Sequence, residues 1–126
     1  MLISVLKSKI HGVTVTEHNL EYEGSLTLDR DLIDGAGLHV YEKIAVWNKS
    51  NGHRFETYVI EGAAGSGVVC VNGAAAHLAR KGDQLIVAAY ALVEAPAGRG
   101  HAFEPRVVRV DAGNHPLPDR GPERAR

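Results

Sequence analysis

A glycine precedes a serine at Gly24-Ser25, within Glu21-Tyr22-Glu23-Gly24-Ser25-Leu26-Thr27-Leu28-Asp29. A serine hydroxyl that reaches back onto the preceding carbonyl can shift that acyl group from nitrogen to oxygen, leaving an ester where a peptide bond had been. Elimination of the ester and hydrolysis would then turn Ser25 into an N-terminal pyruvoyl group. Gly24 suits such a step because it permits dihedrals that a side chain forbids. Alone, the dipeptide describes an ordinary turn equally well.

Three other stretches carry residue types that could serve a site. On Arg54–Ile60, read as a strand, Arg54, Glu56 and Tyr58 share one face while Thr57 points to the other. If Arg54 and Tyr58 serve one site, Thr57 belongs to a different surface or to a neighbouring subunit; the plainer reading is an outward ion pair beside a half-buried phenol. Asn72-Gly73-Ala74-Ala75-Ala76 offers backbone N–H groups with little obstruction, able to hold a carboxylate or amide oxygen. The same residues describe a tight turn entering a short helix, and they lack the Gly-Lys-Ser/Thr ending of a phosphate loop. Near the N-terminus, Lys9, His11 and Val13 would share one strand face, as a site wall or a solvated polar surface.

Some chemistries are disfavoured. The seven histidines stand at positions 11, 18, 39, 53, 77, 101 and 115, no two within four residues and none beside a Cys-x-x-Cys pair. No metal site is expected from that pattern. Cys70 is the only cysteine and sits in the apolar run Gly67–Val71, where a thiol acts as a small hydrophobe. It admits no internal disulfide, and a reducing cytoplasm is the expected setting. The formal net charge of −1 provides no overall basic field for nucleic acid or an anionic membrane. No apolar run is long enough to predict a transmembrane helix.

The elements that must position these residues are short. Residues 2–6, 13–16, 43–48, 54–60, 68–71, 84–91 and 106–110 read as strands, rich in β-branched and apolar residues. Asn51-Gly52 marks a hairpin between the third and fourth of these. Asp29 reads as the N-cap of a short helix through Leu32 and Ile33, with Gly35 and Gly37 near its end. The length of 126 residues suits one domain, placed at 1–115, with 116–126 expected as a disordered tail. Many short strands and no long periodic helix predict an all-β fold, a small β-barrel.

Taken together, the stretches Leu6–His11, Tyr22–Ser25, Trp47-Asn48, Asn51–Tyr58 and Val71–His77 resemble the pyruvoyl-dependent aspartate 1-decarboxylase family, in its order and spacing. Ile3 departs from a frequent arginine, and Gly12 follows the Lys-Ile-His motif. The resemblance implies a double-psi β-barrel, a homotetramer with sites between subunits, and self-cleavage between Gly24 and Ser25. It leaves room for a maturation factor. The implied cofactor is a covalent pyruvoyl group from Ser25, with neither a metal nor pyridoxal phosphate.

The implied reaction takes L-aspartate to β-alanine and CO2 through a Schiff base on that group, supplying pantothenate and coenzyme A synthesis. By the same resemblance Tyr58 is the proton donor, and Thr57, Gly73, Ala74 and Ala75 contact substrate. Arg54 clamps a carboxylate beside Lys9, while His11 and Asn72 support intermediates. Arg54 is expected on the carboxylate that is retained, since gripping the departing one would oppose its conversion to neutral CO2. Thr57 is also a candidate for steadying the oxyanion of self-cleavage. The alternative is a non-enzymatic β-barrel module that stays uncleaved and binds a small acid.

Overall fold

The computed structural model describes residues 1–121. Eight strands form one sheet: β1 (Leu2–Thr14), β2 (Glu17–Asn19), β3 (Ser25–Asp29), β4 (Lys43–Asn48), β5 (Arg54–Gly62), β6 (Val69–Asn72), β7 (Gln84–Glu94) and β8 (Arg106–Arg109). Their order across the sheet is β2-β6-β3-β5-β4-β7-β1-β8. One α-helix, α1 (Arg30–Ala36), and a 3-10 helix at Gly73–His77 complete the regular elements among the described residues.

β1 is one long strand where the alternation suggests two short ones. Two register shifts against β7, between Leu6 and Ser8 and between His11 and Val13, explain the difference. At the second, Gly12 takes φ +85°, which a glycine adopts without steric cost. The bulge turns Val13 into the core at 0% exposure, while His11 stays outside. The expectation that Val13 shares a face with Lys9 and His11 is therefore corrected: the extra residue reverses the alternation.

The short elements are held by capping and packing. The Asp29 carboxylate accepts from the Asp31 N–H at 2.8 Å, and Gly37 closes α1 in the left-handed region. Seven residues are too few for a helix to persist on propensity alone. Leu32 and Ile33 supply the difference, both fully buried in the main core with Ile10, Leu26, Leu28 and Val59. Such burial stabilises by about 1.5–3 kcal/mol per side chain. The hairpin β4–β5 forms as the Asn51-Gly52 signal predicts, with Gly52 at φ +81°.

Closure comes from contacts between distant parts of the strand order. The Thr16 N–H, just past β1, donates to the Val69 carbonyl of β6 at 2.8 Å. Asn114, 2% exposed, bonds the backbone of Thr14 through both amide atoms and also reaches Gly67 O. The chain remains bonded past residue 115: Val110 bridges to Pro116, Leu117 N–H donates to Arg109 O, and Arg109 reaches Gly121 O. Residues 122–126 of the expected tail lie outside the described residues. No helix among the described residues is long and apolar enough to cross a membrane.

Candidate active site

β2 and β3 flank β6 on opposite sides, β2 running parallel to it and β3 antiparallel. Asn19 at the end of β2 and Ser25 at the start of β3 both pair with Asn72. Residues 20–24 must therefore arch over the end of β6, and Gly24-Ser25 comes down beside Asn72-Gly73. A Cβ placed on Gly73 would stand 2.7 Å from Gly24 Cα and 2.9 Å from the Tyr22 carbonyl oxygen. Gly73 also has φ +66°, so two independent constraints require glycine there. Gly24 shows neither: it is outside the left-handed region, and an added Cβ would meet nothing within 4 Å. The conformational freedom expected at Gly24 is used at Gly73 instead.

Ser25 is 2% exposed, and its Oγ accepts a hydrogen bond from Asn72 Nδ2 at 3.0 Å. The same amide nitrogen donates to Thr27 Oγ1 at 3.0 Å, and Cys70 Sγ donates to Asn72 Oδ1 at 3.2 Å. Opposed pairs share a face, so Ser25, Thr27, Cys70 and Asn72 stand together on the side away from the core. Leu26 and Val71, each one position along, point inward. Burial first, then the charge and hydrogen bond of Glu17, push the Cys70 thiol up from its ordinary range. It stays protonated.

Tyr58 enters through the parallel pairing of β3 with β5, where Leu26 stands opposite Val59. One step back in that register Ser25 is level with Tyr58, on the same outer face. Tyr58 is 37% exposed, and its ring centroid lies 6.3 Å from that of Tyr41. Thr57, half-buried, points to the opposite face of β5, as its alternation requires.

The remaining expected residues lie farther along β5, on β1 or in the 3-10 helix. Arg54 is on the Tyr58 face but four residues along β5, about 13 Å by strand rise. Its guanidinium lies over the ring of Trp47, its hairpin partner, 4.6 Å from the centroid. Lys9 and His11 are on β1, with β5, β4 and β7 between it and β3 in the sheet order. Ala74 and Ala75 follow Gly73 in the 3-10 helix, which places their backbone next to the arch. Thr27 and Cys70 are the members of the cluster that sequence reasoning missed.

Comparison with known proteins decides the family. A model of the family described as Aspartate decarboxylase matches residues 1–117. The chain belongs to the aspartate decarboxylase family. It is 52% identical to the aspartate 1-decarboxylase of Parabacteroides distasonis, over 93% of this chain and 99% of that one. It is equally close, at 52%, to that of Leptospira biflexa over 92% of this chain and 98% of the relative. The Neisseria meningitidis enzyme also stands at 52%, over 90% and 88%. The mainly-β sheet with few helices agrees with the double-psi β-barrel of the aspartate decarboxylases. This family of carboxy-lyases is the pyruvoyl-dependent enzyme feeding pantothenate synthesis, and a non-enzymatic small-acid binder is not favoured.

Proposed function

We propose that Ser25 is the source of a covalent pyruvoyl group on which this decarboxylase converts L-aspartate to β-alanine and CO2. The observation that carries the reading is the arch itself. It places the Gly24-Ser25 bond over Gly73, with the Ser25 hydroxyl held by Asn72. A side chain at 73 would fill the space that the backbone to be cleaved occupies.

The chain's own groups account for the formation of the pyruvoyl group. Ser25 Oγ adds to the Gly24 carbonyl carbon, and its proton passes to the Ser25 nitrogen as the C–N bond breaks. Loss of the Ser25 Hα with cleavage of the Cβ–Oγ bond leaves a Gly24 carboxylate and a double bond at residue 25. Water then releases ammonia and leaves a ketone. Because Oγ accepts from Asn72, its own proton is available for the transfer. Thr57 faces away from Ser25 in the same chain, so its expected oxyanion role requires contact from another chain or a local rearrangement.

Once formed, the ketone carbonyl supplies an electron sink for the substrate amine's α-carbon as CO2 leaves. Tyr58 is level with residue 25 on the same face, which supports its role as donor of the proton that replaces the lost carboxylate. The backbone at Gly73, Ala74 and Ala75 is adjacent to that point and can hold a substrate oxygen. Arg54 lies about 13 Å along β5 from Tyr58, which supports sites shared between subunits of a homotetramer. There a neighbour's Arg54, pre-oriented by Trp47, grips the retained carboxylate. The cytoplasm is the compartment that suits a lone reduced thiol.

The direct test is Ser25→Ala, which removes the oxygen that must attack. The variant should fold, remain a single chain and release no CO2 from aspartate. Surviving decarboxylation would contradict the proposal.

A further inference from the structure

We infer that Cys70 is a positioning residue for self-cleavage: it orients the Asn72 side chain so that the amide nitrogen faces the Ser25 hydroxyl. The inference rests on Ser25 being the source of the pyruvoyl group, and it concerns what prepares that serine.

Asn72 has two amide orientations of nearly the same shape, and they present opposite polarity to Ser25. The neighbouring hydroxyls do not choose between them. Ser25 Oγ and Thr27 Oγ1, each 3.0 Å from Nδ2, can donate or accept. Cys70 biases the choice: its S–H is a weak donor, but the amide oxygen it faces is a strong acceptor, whereas the reversed amide would give an N–H to sulfur, a weak acceptor. With Sγ 3.2 Å from Asn72 Oδ1, the protonated thiol holds the oxygen on its own side. The nitrogen is left to face Ser25 and Thr27, which together take both of its hydrogens.

A second acceptor is present and loses. Glu17 stands opposite Cys70 in the β2–β6 register and its carboxylate also reaches the thiol. Glu17 is exposed and water can satisfy it, whereas Asn72 is 3% exposed and an unpartnered oxygen there would be costly. The thiol hydrogen therefore goes to the amide.

The orientation matters for the bond that breaks. With Nδ2 toward Ser25, Oγ accepts and keeps its proton free to move to the leaving nitrogen of the Gly24–Ser25 peptide. With the amide reversed, Ser25 would commit that proton to Oδ1, and attack would begin from a blocked hydroxyl. Cys70 reaches the serine only through Asn72.

The test is a time course of cleavage after a short pulse of expression, followed by intact mass, for the wild type, Cys70→Ala and Cys70→Ser. Melting temperatures of the same proteins are measured alongside. Cys70→Ala should slow cleavage on the order of tenfold, the effect of losing one oriented hydrogen bond. Cys70→Ser restores a donor and should return the rate to within about twofold of wild type. A packing role alone predicts rates that follow the melting temperature, with no rescue by serine. Cleavage of Cys70→Ala at the wild-type rate overturns the inference, as does Cys70→Ser being equally slow. If Cys70→Ala does not fold, Cys70→Val, which fills the volume and removes the donor, carries the same comparison with Cys70→Ser: valine should slow cleavage and serine restore it, and a wild-type rate for valine overturns the inference. A wild-type chain that never yields two fragments overturns both this inference and the origin of the pyruvoyl group. Normal cleavage in both wild type and Cys70→Ala overturns this one alone.

Discussion

Gly73 lies directly under Gly24, with 2.7 Å between the place of a Cβ on the first and the Cα of the second. The two are distant in sequence, and the contact exists because β2 and β3 flank the same strand, β6. The Gly24-Ser25 peptide is thus held by topology where Asn72 bonds the Ser25 hydroxyl.

Gly73→Ala should therefore damage both folding and cleavage. The new methyl meets backbone, which cannot swing aside as a side chain can, and φ +66° is unfavourable for alanine. A loss of about 1–3 kcal/mol in stability is expected, with cleavage slowed beyond what that loss explains. Thermal unfolding and fragment formation measured on the same sample check this. An alanine variant as stable and as fast as wild type would mean that the arch does not rest on residue 73.

Tyr58→Phe separates the two activities of the site. The hydroxyl is on the Ser25 face but belongs to no part of the hydrogen-bonded cluster around Asn72. Cleavage should proceed at close to the wild-type rate, while turnover of aspartate falls on the order of a hundredfold. Equal damage to both steps would show that Tyr58 acts in processing and not as the proton donor alone.

Asp29 gives a pH dependence of stability whose sign is fixed. Burial raises its pKa, but backbone N–H groups of Gly67, Asp31 and Gly65 outweigh that and leave it below the ordinary value of 3.8. A depressed folded-state pKa adds stability that is present above the unfolded value and lost as pH falls through the folded one. Asp29→Asn should cost about 1 kcal/mol near neutral pH, because an NH2 then replaces one of the two oxygens that accept from the Asp31, Gly65 and Gly67 N–H groups. The difference in melting temperature between wild type and variant should shrink below about pH 4. A difference that does not change between pH 3 and pH 6 would contradict the assignment.

Local chemistry in the sequence accounts for the elements that were legible. Asn51-Gly52 predicts the β4–β5 hairpin, and Asp29 with Gly37 brackets α1, because turns and caps are set by neighbouring residues. β1 was harder to read, since the shifts near Lys7 and Gly12 interrupt the period-two pattern that reveals a strand. β2 is three exposed residues with no apolar signature. Ser25 and Asn72 stood out by residue type and resemblance, but Thr27 and Cys70 did not. Their part depends on the antiparallel register of β3 against β6, a non-local pairing that no local spacing encodes. Likewise, Gly24 drew attention as the permissive residue, while the strain and the close approach fall on Gly73.

Intact mass of the purified protein under denaturing conditions tests the central claim most directly. The prediction is two chains, residues 1–24 and 25–126, the second lighter by one ammonia than a chain starting at serine and reactive toward a carbonyl-directed amine. A single uncleaved chain of 13.5 kDa that nonetheless releases CO2 from aspartate would contradict the account.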